Sequence, residues 1–418
     1  MKNISILALT LALFSCQPST KEDMNDRVQL VTLDPGHFHA ALVQKSMYDE
    51  VDSVVHVYSP GGSDLQLHLE RIENFNNRET DPTHWKEEVY VGPDYFEKML
   101  KDKSGNVVVI SGNNKRKTEY ISKSLGAGFN VLADKPMVID AAGFAVLQKS
   151  FETAEKNNLL LYDIMTERYE ITTILQREFS MLSEVFGQIE KGTPENPAIT
   201  KESVHHFYKY VSGSVLTRPG WFMDVDQQGE GIVDVSTHLV DLVQWECFPE
   251  QIIDYTQDIE MNSARRWYTD MTLSEFKAIT KSEGFPDYLK KDIVNDTILR
   301  VYSNGEINFK LRGVNAKVSV TWAYRSPGDG GDTHYSIMRG TKANLIIRQG
   351  AEQQYKPTLY IEPVANDQAY ESVVTTELKK IQGKYPGVEL KKNDKGWEVV
   401  VPDHYKTGHE AHFAQVTE

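Results

Sequence analysis

Asp234 and His238 have the side-chain types and the spacing of a site that takes up a proton. They are four residues apart at the predicted start of a helix, so they lie on one helix face and can approach the same ligand. Histidine titrates within the physiological pH range, which suits a base for a hydroxyl proton. The same segment carries an apolar stripe typical of a core helix: Val235, Leu239, Leu242 and Trp245. That stripe does not require an acidic residue and a histidine beside it, so the pattern favours a functional site.

The turn after the first predicted strand is a second candidate site. It reads Asp34-Pro35-Gly36-His37-Phe38-His39, and only Gly36 remains of the phosphate-binding pattern GxGxxG. One glycine still allows close backbone approach, and the following helix offers free N–H groups to a phosphate. His37 and His39 have no third ligand nearby in the sequence, so we expect no metal ion there.

Predicted strands alternate with predicted helices up to residue 164. The strands are 28–33, 51–58, 106–110, 130–132 and 159–162, and the helices are 40–48, 95–100, 115–127 and 141–157. This alternation predicts an α/β fold, with a Rossmann domain and its doubly wound parallel sheet over residues 27–164. Ligands of such sheets bind at the carboxyl ends of the strands. We therefore expect one crevice to be lined by Gly36, His37, Phe38, Ser59, Ser111 and Asn113.

The pattern changes from about residue 165. A long helix is predicted over 170–187, and the later segments are mostly strands: 203–210, 297–302, 307–311, 317–322, 334–339 and 344–348. Several of them alternate polar and apolar residues, as in a sheet with one face in water. Residues 165–418 are therefore predicted to form an α+β substrate and oligomerisation domain with a large, mostly antiparallel, open-faced sheet.

Two separate motifs carry a family resemblance. The first is a strand, a helix and then Ala133-Asp134-Lys135-Pro136; the second runs from Gly229-Glu230-Gly231 through Asp234, His238 and Asp241 to Trp245. Both are similar to motifs of the glucose–fructose oxidoreductase and inositol dehydrogenase (Gfo/Idh/MocA) family, and the resemblance spans about residues 27–350. Asp134 stands where the family usually has glutamate, and Glu230 and Ser236 replace glycines. Residues 351–418 match less clearly. Three interpretations of their histidine-rich end are open, namely that it lines the site, binds a metal or lies on the surface, and we favour the surface.

The resemblance implies a nicotinamide-dependent oxidoreductase that removes hydride from a secondary alcohol of a sugar, glycoside or polyol. Lys135 would lie beside the nicotinamide and stabilise the developing alkoxide. His238 would accept the proton, and Asp234 would orient His238 or a substrate hydroxyl. Asp134 and Lys135 would also contact the cofactor. Further substrate contacts are expected from Tyr208, Trp221 and Asp241.

The first residues predict export rather than fold. Residues 4–14 form an apolar run that is too short to cross a bilayer and is typical of a signal peptide. The junction Ser15-Cys16 resembles a lipobox, so residues 1–16 are interpreted as a lipoprotein signal peptide with Cys16 acylated. Residues 17–26 are polar and would serve as a tether. We expect a chain anchored by lipid to the envelope of a bacterium, in the periplasm or at the outer membrane.

Charge and location limit the partners. A formal net charge of −15 disfavours nucleic acid, because phosphate binding needs a basic surface. The second predicted strand ends in Tyr58-Ser59 without the acidic residue that would hold the ribose of NAD, so the choice between NAD and NADP stays open. Because an exported enzyme meets little free cofactor, tight binding of NAD or NADP is expected. The family's exposed sheets also favour a homo-oligomer.

Three functions follow from these patterns. The first is net oxidation or reduction of a carbohydrate. The second is an NAD-dependent, redox-neutral glycosidase, in which transient oxidation allows elimination of a glycosidic bond. The third is a sugar-binding lipoprotein without catalysis, which the reduced glycine pattern at Gly36 favours and the set Lys135, Asp234 and His238 disfavours.

Overall fold

The computed structural model describes residues 27–211, 214–365 and 368–418. The predicted signal peptide, with its Cys16, and the predicted tether lie outside these residues. Among the residues described, no helix has the length and apolar character needed to cross a membrane.

A parallel sheet of six strands forms the N-terminal part of the described chain. Its strands are β1 (Leu30–Leu33), β2 (Val54–Ser59), β3 (Lys86–Val91), β4 (Val107–Ile110), β5 (Asn130–Asp134) and β6 (Leu161–Ile164). They lie in the order β3-β2-β1-β4-β5-β6, so the winding of the chain reverses between β1 and β4. The predicted doubly wound Rossmann sheet is thus confirmed. Ligands of such sheets bind at the reversal, outside the carboxyl ends of the strands.

Five helices of the described chain connect these strands: α1 (His39–Leu42), α2 (Ser63–Asn77), α3 (Tyr95–Asp102), α4 (Lys117–Gly126) and α5 (Ala141–Lys156). The sequence does not predict α2 or β3. The helix buries only three side chains, and the strand is an edge strand that is largely exposed, so neither has a clear apolar period. The α-helix α1 is shorter than predicted. After Leu42 the chain continues in tighter turns, in which the amides of Gln44 and Lys45 donate to the carbonyls of Ala41 and Leu42, three residues earlier.

The second sheet is large and mostly antiparallel. Its strands are β7 (Ile199–Tyr208), β10 (Ile259–Thr272), β11 (Ile293–Val294), β12 (Ile298–Leu311), β13 (Val314–Arg325), β14 (Thr333–Arg339), β15 (Ala343–Gln349), β16 (Thr358–Pro363), β17 (Glu389–Asn393) and β18 (Gly396–Val400). A separate two-stranded ribbon is formed by β8 (Tyr210–Val211) and β9 (Ser214–Val215). The main order is β10-β12-β13-β7-β14-β15-β16-β18-β17, with β11 on β12. The pair β7 and β13 is parallel, and the other pairs of this sheet among the described residues are antiparallel. The predicted sheet type is confirmed.

One face of this sheet is covered by helices and the other is polar. The remaining helices of the described chain are α6 (Ile171–Ser180), α7 (Val225–Gln228), α8 (Val235–Cys247), α9 (Leu273–Thr280), α10 (Gln368–Lys384) and α11 (His409–Thr417). Leu175 of α6 and Ile381 of α10 share a buried cluster with Leu345 of β15. On the opposite face, Lys317 forms an ion pair of 2.7 Å with Glu202. This polar face is the open one.

The strand β12 is continuous where the sequence predicts two strands separated at residues 303–306. Asn304-Gly305 suggests a turn, but Gly305 stays in the ladder opposite Arg266 and Val320. A Cβ on Gly305 would lie 2.7 Å from the side chain of Ile232. The glycine therefore marks a close approach of the chain before α8, a common reason for glycine within a strand.

The C-terminal helix α11 packs on the first domain. Phe413 is buried in one cluster with Ala41 and Leu42 of α1 and Ile164 of β6. Its ring centroid is 4.3 Å from that of His39. The interpretation of the histidine-rich end as surface is wrong for this helix, because His412 is buried as well.

Candidate active site

A cavity of about 570 Å³ lies between the strand ends of the Rossmann sheet and the second sheet. The first domain contributes His37 and Phe38 from the turn after β1 and Lys135 directly after β5. The second domain contributes Asp234 and His238 from the start of α8. Tertiary structure thus brings Lys135, Asp234 and His238 to one cavity.

An ion pair joins Lys135 and Asp234 across the two domains. Lys135 Nζ donates to Asp234 Oδ1 at 2.7 Å, and both side chains are largely buried. Burial opposes both charges, but the Asp234 carboxylate raises the pKa of Lys135, and the Lys135 ammonium lowers the pKa of Asp234. His238 lies one helical turn after Asp234, which is the residue that precedes α8. Asp234 thus links the start of α8 to Lys135 of the first domain.

A buried polar network holds the ends of β1, β4 and β5 together. Asp134 Oδ2 accepts from His39 Nδ1 at 2.9 Å and from Ser111 Oγ at 3.1 Å, and His37 Nδ1 lies 3.3 Å away. Lys117 Nζ donates to the Asp134 carbonyl at 2.9 Å. Burial favours the neutral acid, yet His39, His37 and Lys117 hold the pKa of Asp134 well below its usual range.

The same network contains a group with the composition of a metal site. The potential ligand atoms of His37, His39 and Asp134 lie within 4.8 Å of one another. The third ligand that the sequence lacks near the two histidines is thus supplied by β5. Asp134 Oδ2 is bonded to His39 and Ser111, whereas Asp134 Oδ1 and His37 Nδ1 have no hydrogen-bond partner among the described residues.

The turn around Gly36 is closed where a dinucleotide would place its pyrophosphate. In Rossmann folds the glycine at this position lets the pyrophosphate approach the backbone. Here a Cβ on Gly36 would lie 3.2 Å from Asp64 Oδ2 and 3.3 Å from the ring of Trp221. Trp221 Nε1 donates to that Asp64 oxygen at 2.8 Å, and the amides of Gly36 and His37 both face the Ser111 carbonyl. The residues in front of Gly36 therefore do not fit a pyrophosphate as they are arranged.

The other cofactor residues expected from the sequence divide into two groups. Those that line the cavity are His37, Phe38 and Lys135. Ser59, Ser111 and Asn113 lie outside its wall and bind within the protein: Ser59 Oγ accepts from Gly61 N, and Asn113 Nδ2 donates to Gln227 Oε1 at 2.7 Å. Of the expected cofactor residues, His37, Phe38 and Lys135 are thus brought to the cavity, and Ser59, Ser111 and Asn113 are not.

The three expected substrate contacts are outside the cavity wall. Trp221 is bonded to Asp64, as described above. Tyr208 packs against Tyr324, with ring centroids 5.9 Å apart. Asp241 accepts two hydrogen bonds from Arg168, one of them 2.7 Å long.

A polar wall of the cavity is missed by the sequence reasoning. Asp332 accepts from Lys209 Nζ at 2.8 Å, His206 Nδ1 at 3.0 Å and His205 Nδ1 at 3.2 Å. Despite burial, His205 and Lys209 lower the pKa of Asp332. The sequence contains one local signal of this wall, the adjacent pair His205-His206. Successive side chains of a strand point to opposite faces, so the pair presents a histidine to each face of the sheet. Nothing local connects it to Asp332.

His334 and Arg218 complete this wall. His334 Nδ1 is hydrogen-bonded to Ser203 Oγ at 2.9 Å, and burial lowers the pKa of the imidazole to about 4. Burial also lowers the pKa of Arg218 to about 10, so the guanidinium stays charged at neutral pH. With Asp332, these side chains offer hydrogen-bond donors and acceptors suited to several hydroxyl groups.

Two family models match the chain. Residues 34–162 match "Oxidoreductase family, NAD-binding Rossmann fold". Residues 175–418 match "Putative oxidoreductase C terminal domain", so the segment after residue 350 is part of the family domain and the expected limit of the resemblance was too short. A search of curated proteins gives no match.

Solved structures are similar over nearly the whole chain. The crystal structure of a "putative oxidoreductase" from Parabacteroides merdae ATCC 43184 has 57% identity and a TM-score of 0.92, covering 94% of this chain and 90% of that one. A "putative oxidoreductase" from Thermotoga maritima has 14% identity and a TM-score of 0.54, covering 93% and 97%. Levoglucosan dehydrogenase in complex with NADH and levoglucosan has 12% identity and a TM-score of 0.53, covering 93% and 88%. The last two similarities concern the fold alone.

Proposed function

Because the chain belongs to the Gfo/Idh/MocA oxidoreductase family, we propose that it oxidises or reduces a secondary alcohol of a carbohydrate with NAD or NADP. The NAD-binding Rossmann fold supports the cofactor class. The fold shared with levoglucosan dehydrogenase, whose complex holds NADH and a sugar, supports the substrate class. The polar wall around Asp332 supports a ligand with several hydroxyl groups.

The observation that carries this proposal is the ion pair of Lys135 and Asp234 in a cavity that His238 also lines. The Lys135 ammonium stabilises negative charge on a substrate oxygen and so lowers the pKa of the alcohol. His238 takes the hydroxyl proton in the oxidative direction and returns it in the reductive direction. Asp234 keeps the ammonium charged and fixes its position.

A nicotinamide cofactor, when bound, would supply the hydride acceptor or donor, and His37, Phe38 and Lys135 are the residues that would hold it in this cavity. Asp64 and Trp221 must move from Gly36 before a dinucleotide can occupy this crevice.

The proposal is tested on purified protein. Absorbance and mass spectrometry of material released by denaturation identify a retained cofactor, and absorbance at the NADH wavelength follows turnover with a panel of sugars, polyols and glycosides. We expect cofactor-dependent oxidation of at least one sugar. Cleavage of a glycoside without net reduction would identify the redox-neutral glycosidase. Absence of both activities, with neither NAD nor NADP binding, would contradict the proposal.

A sugar-binding protein without turnover is the second candidate, and the contacts of Asp64 and Trp221 in front of Gly36 favour it. It predicts sugar affinity that is independent of any dinucleotide. Calorimetry of sugar binding with and without NAD separates the two functions, since an oxidoreductase binds its alcohol in a ternary complex with the cofactor.

We further propose that the chain is exported and anchored to the bacterial envelope through lipid on Cys16, and that it forms a homo-oligomer. The apolar run over residues 4–14 and the Ser15-Cys16 junction support the anchor. The polar open face of the second sheet, with Glu202 and Lys317, supports an interface between copies.

A further inference from the structure

Arg218 is a buried cation in the cavity wall without an ion-pair partner among the described residues. It is 7% exposed and lines the cavity. Its Nε donates to the Phe207 carbonyl at 3.2 Å and its Nη2 to the His206 carbonyl at 3.5 Å. Both acceptors are neutral. A buried charge is costly unless an opposite charge accompanies it, so the native environment of Arg218 is incomplete without an anion.

The nearby carboxylates already hold other cations. Asp234 is bonded to Lys135, and Asp332 to Lys209 and two histidines. Neither carboxylate is bonded to Arg218. Their electrostatic attraction raises the pKa of Arg218, but burial lowers it by more. The uncompensated charge in this part of the wall is therefore positive.

The guanidinium is held in a fixed orientation. Its central carbon lies 4.7 Å from the centroid of the Phe222 ring and 5.0 Å from that of Trp322. Such stacking, together with the two carbonyl contacts, leaves little freedom for rotation. An oriented guanidinium is suited to a planar carboxylate, which it binds through charge-assisted hydrogen bonds.

The remaining wall is suited to hydroxyl groups. His205, His334 and Asp332 line the same cavity as Arg218, and so do Lys135 and His238. Asp234 interacts electrostatically with Arg218 and is hydrogen-bonded to Lys135. Arg218 is therefore close to the candidate catalytic groups, within the same cavity. From these contacts we propose that the cavity binds a sugar acid, with its carboxylate on Arg218 and a ring hydroxyl towards Lys135 and His238. This inference rests on the proposed function and narrows its substrate class.

The experiment is calorimetry of the purified full chain, with and without NAD, using three matched probes: D-glucuronate, the neutral D-glucuronamide and D-glucose. We expect glucuronate to bind about 10- to 100-fold more tightly than either neutral sugar, the range for a hydrogen-bonded charge pair. Arg218→Gln should remove this preference, so that glucuronate and glucuronamide bind the variant with similar affinity. Arg218→Lys should restore part of it. Arg265→Gln, which removes an exposed guanidinium paired with Glu306, should keep the full preference.

Every outcome bears on the inference. If Arg218→Gln fails to fold, the comparison of glucuronate with glucuronamide in the unaltered protein decides alone. Equal affinities for the three probes, or a preference that survives Arg218→Gln, would overturn it. A phosphate of the cofactor has the same anion chemistry; if Arg218→Gln weakens binding of NAD or NADP but not of glucuronate, the sugar-acid assignment is wrong. Oxidation of neutral sugars without preference for acids overturns this inference alone, whereas absence of any sugar binding or oxidation overturns the proposed function too.

Discussion

Lys135 and Asp234 are 99 positions apart in the sequence and come from different domains, yet Lys135 Nζ and Asp234 Oδ1 are 2.7 Å apart. The pair joins the end of β5 to the start of α8. It therefore fixes the relative position of the two elements that carry the candidate catalytic groups. Its removal should affect both stability and activity.

Asp234→Asn should lower the free energy of unfolding by about 3 to 5 kcal/mol at neutral pH, because the buried Lys135 loses its counter-charge. The pKa of Asp234 lies below 3.8 and that of Lys135 above 10.5, so the pair stabilises the fold between those values. Its contribution is lost as pH falls through the lowered pKa or rises through the raised one. Chemical denaturation as a function of pH measures both effects. Asp270→Asn, which breaks the exposed pair with Arg300, should cost at most about 1 kcal/mol.

Lys135→Met and His238→Ala should both lose turnover. Lys135→Met should also lower the free energy of unfolding, because it leaves the buried Asp234 carboxylate unpaired. Loss of the ammonium removes one preorganised electrostatic group, with an expected decrease in kcat of about a hundredfold or more. In His238→Ala the residual rate should rise with pH, because hydroxide substitutes for the missing base. Lys123→Met, on the exposed face of α4, is the matched control and should keep normal turnover. Normal rates in both cavity variants would exclude the proposed catalytic roles.

Asp64→Asn should strengthen binding of NAD or NADP by about tenfold, because it removes a negative charge from the place of the pyrophosphate. Burial raises the pKa of Asp64, so in the unaltered protein cofactor affinity should increase as pH falls towards that pKa. The variant should lose this pH dependence. Calorimetry at several pH values tests both statements, with the exposed Asp94→Asn as control. Weaker binding in Asp64→Asn would show that the carboxylate helps to hold the cofactor.

Gly231→Ala should destabilise the entrance to α8 by about 2 kcal/mol or more. A Cβ at this position would lie 1.6 Å from the Ser303 carbonyl oxygen, so the backbone before Asp234 must shift. The contrasting variant is Gly126→Ala at the end of α4, where no atom lies within 4 Å of the added carbon. There we expect a gain of about 0.5 to 1 kcal/mol. Thermal unfolding of the two variants compares them directly, and equal stabilities would contradict the close approach.

Cys16→Ala should release the protein from membranes or block its processing. The Ser15-Cys16 junction motivates this prediction. Membrane fractionation and intact mass of the native and variant chains provide the measurement. If both fractionate alike and the native chain carries no lipid mass, the anchor is absent.

Local patterns were sufficient to predict the Rossmann sheet and the positions of its strand ends. The β-branched run at Val107–Ile110 must be a strand buried on both faces, and β-strands alternating with helices have one common arrangement. Lys135, Asp234 and His238 were also predicted, because each occupies a defined position in a motif next to a strand end or a helix start. Elements with little buried surface, such as β3 and α2, were missed for the same reason, since they carry no apolar period.

Tertiary structure alone decided which polar groups meet. Trp221 reaches Asp64 across 157 positions, and Asp332 gathers His205, His206 and Lys209 across more than a hundred. Spacing along the chain governs contacts within one helix or one turn, and it carries no information about such distant pairs. Whether Gly36 faces an open crevice, and whether Arg218 finds a counter-charge, therefore depends on how the two sheets pack. The sequence determined which chemical groups and elements exist, and the packing of the domains determined which of them share a cavity.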